Sequence, residues 1–261
     1  MEKTFDKNDF SKRLKSMLKV DFRRMFTMRF LYVMAGISLV MPILILVMTS
    51  MMGGTETDTE AAMESFTSVW QIIGSLSTAS ATSMDITSMC NINLIYFMAG
   101  IFVCVFIADD FRSGYAKNLF AVRAGKTDYV ISKTLAGFAG GAIMLIAFLI
   151  GALLGGAIAG LSFTMDGVTV GNIIMCILSK IFLMMVFAAI YVVMCVIAKE
   201  KTWLSILLSL AVGMLLFMMI SMITPLDATI LNVILCLAGG IIFAVGLGAI
   251  SRIILAKFDI I

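Results

Sequence analysis

Six long apolar runs, at residues 30–51, 92–108, 135–161, 173–198, 203–223 and 230–255, decide what this chain can become. Most hold the roughly 20 residues that a helix needs to cross hydrocarbon at about 1.5 Å per residue. The second run is short, so its helix is expected to begin earlier, near Met84. Composition points the same way, with 61% of 261 residues hydrophobic and 13% charged, where soluble domains carry about a quarter charged residues. The expected fold class is an all-α membrane protein of the cell membrane. A basic segment, residues 1–29, precedes a six-helix transmembrane domain, residues 30–261, with spans near 30–51, 90–108, 131–161, 173–198, 203–223 and 230–255.

Lysine and arginine set the orientation, because they accumulate on the cytoplasmic side. Nine of them precede the first span: Lys3, Lys7, Lys12, Arg13, Lys15, Lys19, Arg23, Arg24 and Arg29. The loop 52–91 has none and carries Glu56, Asp58, Glu60, Glu64 and Asp85. Residues 109–133 are basic again, and the alternation continues through Asp166, then Lys199-Glu200-Lys201, then Asp227, then Arg252 and Lys257. Both termini are therefore predicted to be cytoplasmic. The net charge of +3 reflects this sorting and gives no reason to expect nucleic acid as a partner. The basic start lacks a small-x-small cleavage site and leads into a run of spanning length, so it is expected to remain as a helix.

Several chemistries are left without residues. There is no histidine, which removes imidazole catalysis and most zinc and haem arrangements. Cys104, Cys176, Cys195 and Cys236 fall in spans and Cys90 near the outer surface, a pattern of packing residues rather than a disulfide framework. Asp109-Asp110 stand at the inner end of a helix, where aqueous carboxylates cost little. Lys180 is the candidate charge within a span. Counting 20 residues outward from Ala198 ends at Ser179, which places Lys180 at the outer rim, either snorkelling to water or touching a transport pathway.

The cytoplasmic segments carry more information. Phe10, Leu14, Met17, Leu18, Phe22 and Met25 recur at three- and four-residue intervals, with Lys12, Lys15, Lys19 and Arg23 on other faces. That pattern predicts a helix lying in the headgroup layer, attracted by anionic membrane lipid. In the next inner loop Phe111, Tyr115, Leu119 and Val122 form one stripe on a predicted helix of about three turns. Gly125-Lys126-Thr127 imitates the end of a phosphate-binding loop, but the first glycine of that motif would fall on Phe120. The triplet is read as punctuation: Gly125 in left-handed conformation stops one helix and Thr127 caps the next. A short amphipathic helix held between two spans suits docking into a groove on a cytoplasmic partner.

The order Asp110, Gly114, Lys117, then Lys126-Thr127-Asp128-Tyr129 and Lys133 resembles the inner loop of ABC-2 type transporter permeases. There an acid is followed four residues on by glycine, soon by a base, and then by a Ser-Arg-x-Glu-Tyr-x-x-x-Lys-like run entering the third span. This chain departs from the pattern at Asp110 for glutamate, Gly125 for serine and Lys126 for arginine. The resemblance implies a membrane subunit of an ATP-driven exporter, similar to small stand-alone permeases for peptide antibiotics or drugs. It implies a cytoplasmic ATPase as a separate chain that binds ATP and Mg, and a second permease subunit, alike or different. This chain would itself be no enzyme and hold no cofactor or metal. A coupling helix would relay closure of the ATPases, with Asp110, Gly114, Tyr115, Leu119, Val122, Lys126 and Lys133 as the coupling residues. A membrane scaffold and a solitary carrier or channel are the competing readings.

Small residues at four-residue spacing, Gly151 and Gly155, Gly156 and Gly160, and Gly240, Ala244 and Gly248, predict close helix packing. Pro42 is expected to kink the first span. In the outer loop Phe66, Val69, Trp70, Ile73 and Leu76 suggest an interfacial helix with Trp70 at headgroup level, as part of an outer gate, a cargo contact or a passive lid.

Overall fold

The computed structural model describes residues 7–52, 66–76, 91–122, 125–165, 167–198 and 201–257. The features read from the sequence at Lys3, Glu56, Asp58, Glu60, Glu64, Met84, Asp85, Cys90, Asp166, Lys199 and Glu200 lie outside the described residues. Among the described residues the secondary structure is helical, with no strand. In chain order the helices are α1 (Lys7–Thr27), α2 (Arg29–Met52), α3 (Leu94–Arg112), α4 (Tyr115–Val122), α5 (Lys126–Ala159), α6 (Val170–Ala198), α7 (Thr202–Ile223) and α8 (Ile230–Lys257). Within lipid each backbone polar group needs a partner from its own segment, which a helix supplies.

Five of these, α2, α3, α5, α6 and α8, are long and apolar enough to cross a membrane, and α7 qualifies as an apolar helix over the shorter stretch Thr202–Phe217. The chain is a multi-pass membrane protein. Helices α3 and α6 are mostly buried and form the centre together with α5. Helix α2 lies along α5, α8 along α6, and α7 against α3 and α6. The outward faces of α2 and α8 expose Tyr32, Leu44, Ile242 and Val245, surface suited to lipid.

The α2–α5 contact shows why glycine is needed. A Cβ at Gly151 would fall on the Leu39 carbonyl oxygen, and one at Gly155 would come within 2.8 Å of the Ile43 Cα. The backbones touch because neither position has a side chain. Pro42 lies inside α2, in the same contact. Gly160 belongs to no packing face; it ends α5 as a left-handed C-cap with φ 68°.

Three boundaries differ from expectation. Helix α3 starts at Leu94 rather than near Met84, because the Asn91 side chain accepts from the Asn93 backbone N–H and builds a turn there. At its other end α3 runs through Asp109 and Asp110 to Arg112. Helix α5 begins at Lys126 and has 34 residues, about 51 Å of helix. It outreaches the hydrocarbon, and its first turns carry polar side chains. The expected interfacial helix at residues 66–76 is a single 3-10 turn, Val69–Ile72, with Ser68 and Gln71 forming a capping box. The neighbouring backbone is spent on other partners: Val69 N–H donates to Ser162 O, Ile92 N–H to Ile72 O and Leu226 N–H to Ser75 O. Phe66, Val69, Ile72 and Ile73 are buried, so this segment is part of the core at that end.

Candidate functional site

At the end of the bundle that gathers α1 and α4, three charged side chains lie fully buried: Asp21, Asp110 and Lys133. Lys133 Nζ stands 2.8 Å from Asp21 Oδ1 and 2.6 Å from Asp110 Oδ2. Arg24, partly exposed, reaches Asp110 Oδ1 at 2.6 Å and Asp109 Oδ2 at 3.4 Å. The remaining acceptor sites are used as well. Ser132 Oγ donates to Asp21 Oδ2 at 2.6 Å, and Tyr129 Oη to Asp110 Oδ2 at 3.1 Å. Two acids thus meet two bases, joining α1, α3 and α5.

Aromatic rings enclose this quartet. Lys133 Nζ lies 4.1 Å from the Phe106 ring centroid, and the Arg24 guanidinium 4.3 Å from that of Tyr115. Cations over ring faces gain on the order of 0.5–2 kcal/mol, more as water is removed. Burial works against the Arg24 charge, but the Asp110 carboxylate outweighs it and its pKa is raised. Burial also raises the Tyr115 phenol, with Asp21 and Asp110 adding to the effect and Arg24 opposing it. Taking one member from such a buried set costs about 3–5 kcal/mol, because its partner is left charged and dry.

Gly114 makes the corner that brings α4 to the quartet. Its φ of 71° lies in the left-handed region, and it separates α3 from α4. The expected helix of three turns starting at Phe111 is therefore two pieces: Phe111 lies in the last turn of α3, and α4 has 8 residues. Gly125 has φ −85° and is the N-cap of α5, so the left-handed stop is Gly114, and Thr127 is inside α5 rather than its cap. Glycine at 125 has a different cause: a Cβ there would collide with the Asp128 carboxylate.

The structure brings three residues predicted from the sequence, Asp110, Tyr115 and Lys133, to one place. Leu119 is not one of the quartet's ion-pair or hydrogen-bond partners and lines a cleft of about 50 Å³ between α1 and α4, with Met17, Val20, Arg13 and Asp128 on its walls. Arg13 Nε is 3.6 Å from Asp128 Oδ2 across it. Lys126 Nζ donates to the Leu255 carbonyl at 2.9 Å, tying the start of α5 to the end of α8. Val122 is the last residue of α4. Lys117 and Asn118 face away from the protein.

Asp21 and Arg24 are site residues that the sequence reasoning misses. A signal exists for Asp21: it falls on the apolar stripe of α1, four residues after Met17 and four before Met25, both buried. An acid on that stripe needs a base opposite it. One face of α1 accordingly packs along α5 and buries Asp21. Lys12, Lys15, Lys19 and Arg23 remain on its exposed side.

The two pathway candidates lie at the other end. Trp70 Nε1 donates to the Phe163 carbonyl at 2.8 Å. Lys180 does not snorkel: it is 1% exposed, and its Nζ donates to Asn93 Oδ1 at 3.1 Å and Thr224 Oγ1 at 2.9 Å. Helix α6 starts ten residues earlier, at Val170, so Lys180 is about 15 Å along the helix from its end. Counting from Ala198 misplaces the rim because it assumes a helix no longer than the hydrocarbon.

A family model described as "ABC-2 family transporter protein" matches residues 17–216, from the middle of α1 to most of the way along α7. No curated protein and no solved structure matches the chain.

Proposed function

The chain belongs to the ABC-2 family of transporter proteins, and from that premise we propose that it is the permease subunit of an exporter driven by a separate ATPase. The family makes it a membrane component of an ABC transporter. In the proposed arrangement all six apolar helices, α7 included, cross the bilayer. Both termini, α1 and α4 are cytoplasmic, in keeping with the placement of lysine and arginine. ATP and Mg are held by the partner ATPase, and a second permease subunit, like or unlike, completes the pathway. The cargo is a hydrophobic or amphipathic peptide or drug.

The observation that carries this reading is the attachment of α4. It is too short to be stable alone, yet Gly114 turns it back on the bundle and Tyr115 covers Arg24 in the buried quartet. A push on its exposed face, at Lys117 and Asn118, is transmitted to α1, α3 and α5 through groups that cannot separate cheaply. Asp110, Gly114, Tyr115 and Lys133 serve as the rigid mount, with Asp21 and Arg24. Leu119 fixes how α4 seats, Val122 ends that helix, and Lys126 ties the mount to α8.

Affinity purification of the full chain from gently solubilised native membranes is expected to bring down a P-loop ATPase in stoichiometric amount. Lys117→Glu with Asn118→Trp, both on the exposed side of α4, is expected to abolish that association while the chain still inserts. A chain that purifies alone, under conditions that preserve a known transporter complex, would favour a scaffold or a solitary carrier.

A further inference from the structure

We propose that Lys180 is the latch of an outer gate: its side-chain nitrogen ties the start of α3 to the end of α7. Outward opening breaks the Lys180–Thr224 bond and brings the nitrogen into the outer aqueous phase. The two acceptors are placed for this. Asn93 is the N-cap residue of α3 and makes no side-chain cap bond to its own helix, while its oxygen accepts from Lys180. Thr224 is the C-cap residue of α7. One nitrogen on α6 therefore holds the ends of two other helices.

The two sides of the latch are unequal. Towards α3 the contact is reinforced: Tyr96 Oη donates to the Lys180 carbonyl at 2.8 Å, and Tyr191 Oη to the Tyr96 carbonyl at 3.0 Å. The Tyr96 and Phe187 rings pack 4.6 Å apart beside them. Towards Thr224, α6 offers the Lys180 bond and a long contact from Cys176 Sγ to the Thr224 carbonyl at 3.6 Å. Among the described residues no carboxylate stands within ion-pair distance of Lys180. Water solvates an amine better than two neutral oxygens do, so hydration of the nitrogen offsets part of the cost of breaking its bonds, and the latch opens on its weaker, α7 side.

The distribution of lysine makes a clean probe possible. Every other lysine, Lys3, Lys7, Lys12, Lys15, Lys19, Lys117, Lys126, Lys133, Lys199, Lys201 and Lys257, belongs to a segment assigned to the cytoplasmic side. A membrane-impermeant amine reagent added to right-side-out vesicles of the full chain therefore reports Lys180, read by peptide mass spectrometry. Wild-type Lys180 is expected to react slowly. Thr224→Val, which keeps shape and removes the acceptor, should raise its labelling roughly tenfold, the equilibrium change for losing one hydrogen bond to a charged group. Thr224→Ser should return the wild-type rate. Equal labelling of wild type and Thr224→Val overturns the latch. The inference rests on the permease topology, whose failure is seen separately: labelling of Lys117 or Lys257 from outside overturns that topology and the latch with it. If Thr224→Val does not reach the membrane, the wild-type chain with its ATPase decides. Faster labelling of Lys180 during ATP turnover than without nucleotide supports the latch, and an unchanged rate overturns it.

Discussion

Lys133 and Lys180 each carry a side-chain nitrogen into the protein with no more than 1% of the residue exposed, yet their surroundings differ in kind. Lys133 lies between two carboxylates that are themselves held by Arg24, Ser132 and Tyr129. Lys180 has an amide oxygen and a hydroxyl. Coulomb attraction grows as water is excluded, so a compensated cluster becomes harder to open as it is buried more deeply. A lysine among neutral oxygens has no such return and is drawn towards water. One arrangement suits a mount that transmits force intact; the other suits a contact made and broken once per cycle.

The largest effect should come from breaking the mount. Lys133→Met leaves Asp21 and Asp110 buried with Arg24 as the remaining base, and is expected to cost about 3–5 kcal/mol. A thermal unfolding series in mild detergent would register this as a marked fall in Tm and poor recovery from membranes. An unchanged Tm would mean that the quartet is not closed as described. Asp21→Asn is gentler, because the amide oxygen can still accept from Lys133 while the charge is lost. A loss of about 1.5–3 kcal/mol is expected, the usual worth of a hydrogen bond involving a charged group. Helix α1 should then loosen, seen as faster tryptic cleavage after Lys15, Lys19 and Arg23. In a double-mutant cycle Asp21→Asn should cost little once Lys133 is already Met, which separates their coupling from general damage.

What is legible in the sequence follows the same division. Asp110 and Lys133 can be picked out because each belongs to a motif with fixed spacing, and the spacing is what lets two helices present them to one another. The apolar runs place the spans for a similar reason, since length and hydropathy are local properties. Asp21 escapes notice because it is one of four acids scattered through a basic segment, and only the packing of α1 on α5 shows which base it meets. The depth of Lys180 cannot be counted from Ala198, because it depends on where α6 begins, at Val170, and on Asn93 and Thr224, 87 and 44 residues away in sequence. The Gly125-Lys126-Thr127 triplet reads as stop and cap, whereas the turn is made at Gly114 by a backbone angle that no residue pattern states.

Lys180→Met tests the other half of the comparison. It removes a costly buried amine as well as two hydrogen bonds, and Thr224 Oγ1 keeps its bond to the Ile220 carbonyl. The two terms oppose each other, so unfolding should shift by less than about 1.5 kcal/mol in either direction. A loss as large as that of Lys133→Met, read in the same unfolding series, would show that the two sites are not different in kind.

Lys126 separates partner chemistry from position. It lies at the same end of the bundle as Lys133, but like Lys180 it donates to a neutral oxygen, the Leu255 carbonyl in the last turn of α8. If the cost of losing a lysine were set by the end of the molecule it occupies, Lys126→Met would resemble Lys133→Met. If the cost is set by what the nitrogen faces, the substitution removes one partly buried bond and a favourable charge near a helix C-terminus. That amounts to about 0.3–1 kcal/mol. The smaller value is expected, with ATPase association unchanged, because Lys126 lies outside the quartet and only links it to α8. The same unfolding measurement on all three methionine variants therefore ranks Lys133 far above Lys180 and Lys126, and a ranking that put Lys126 beside Lys133 would assign the rigidity of this end to α8 instead of to the buried ions.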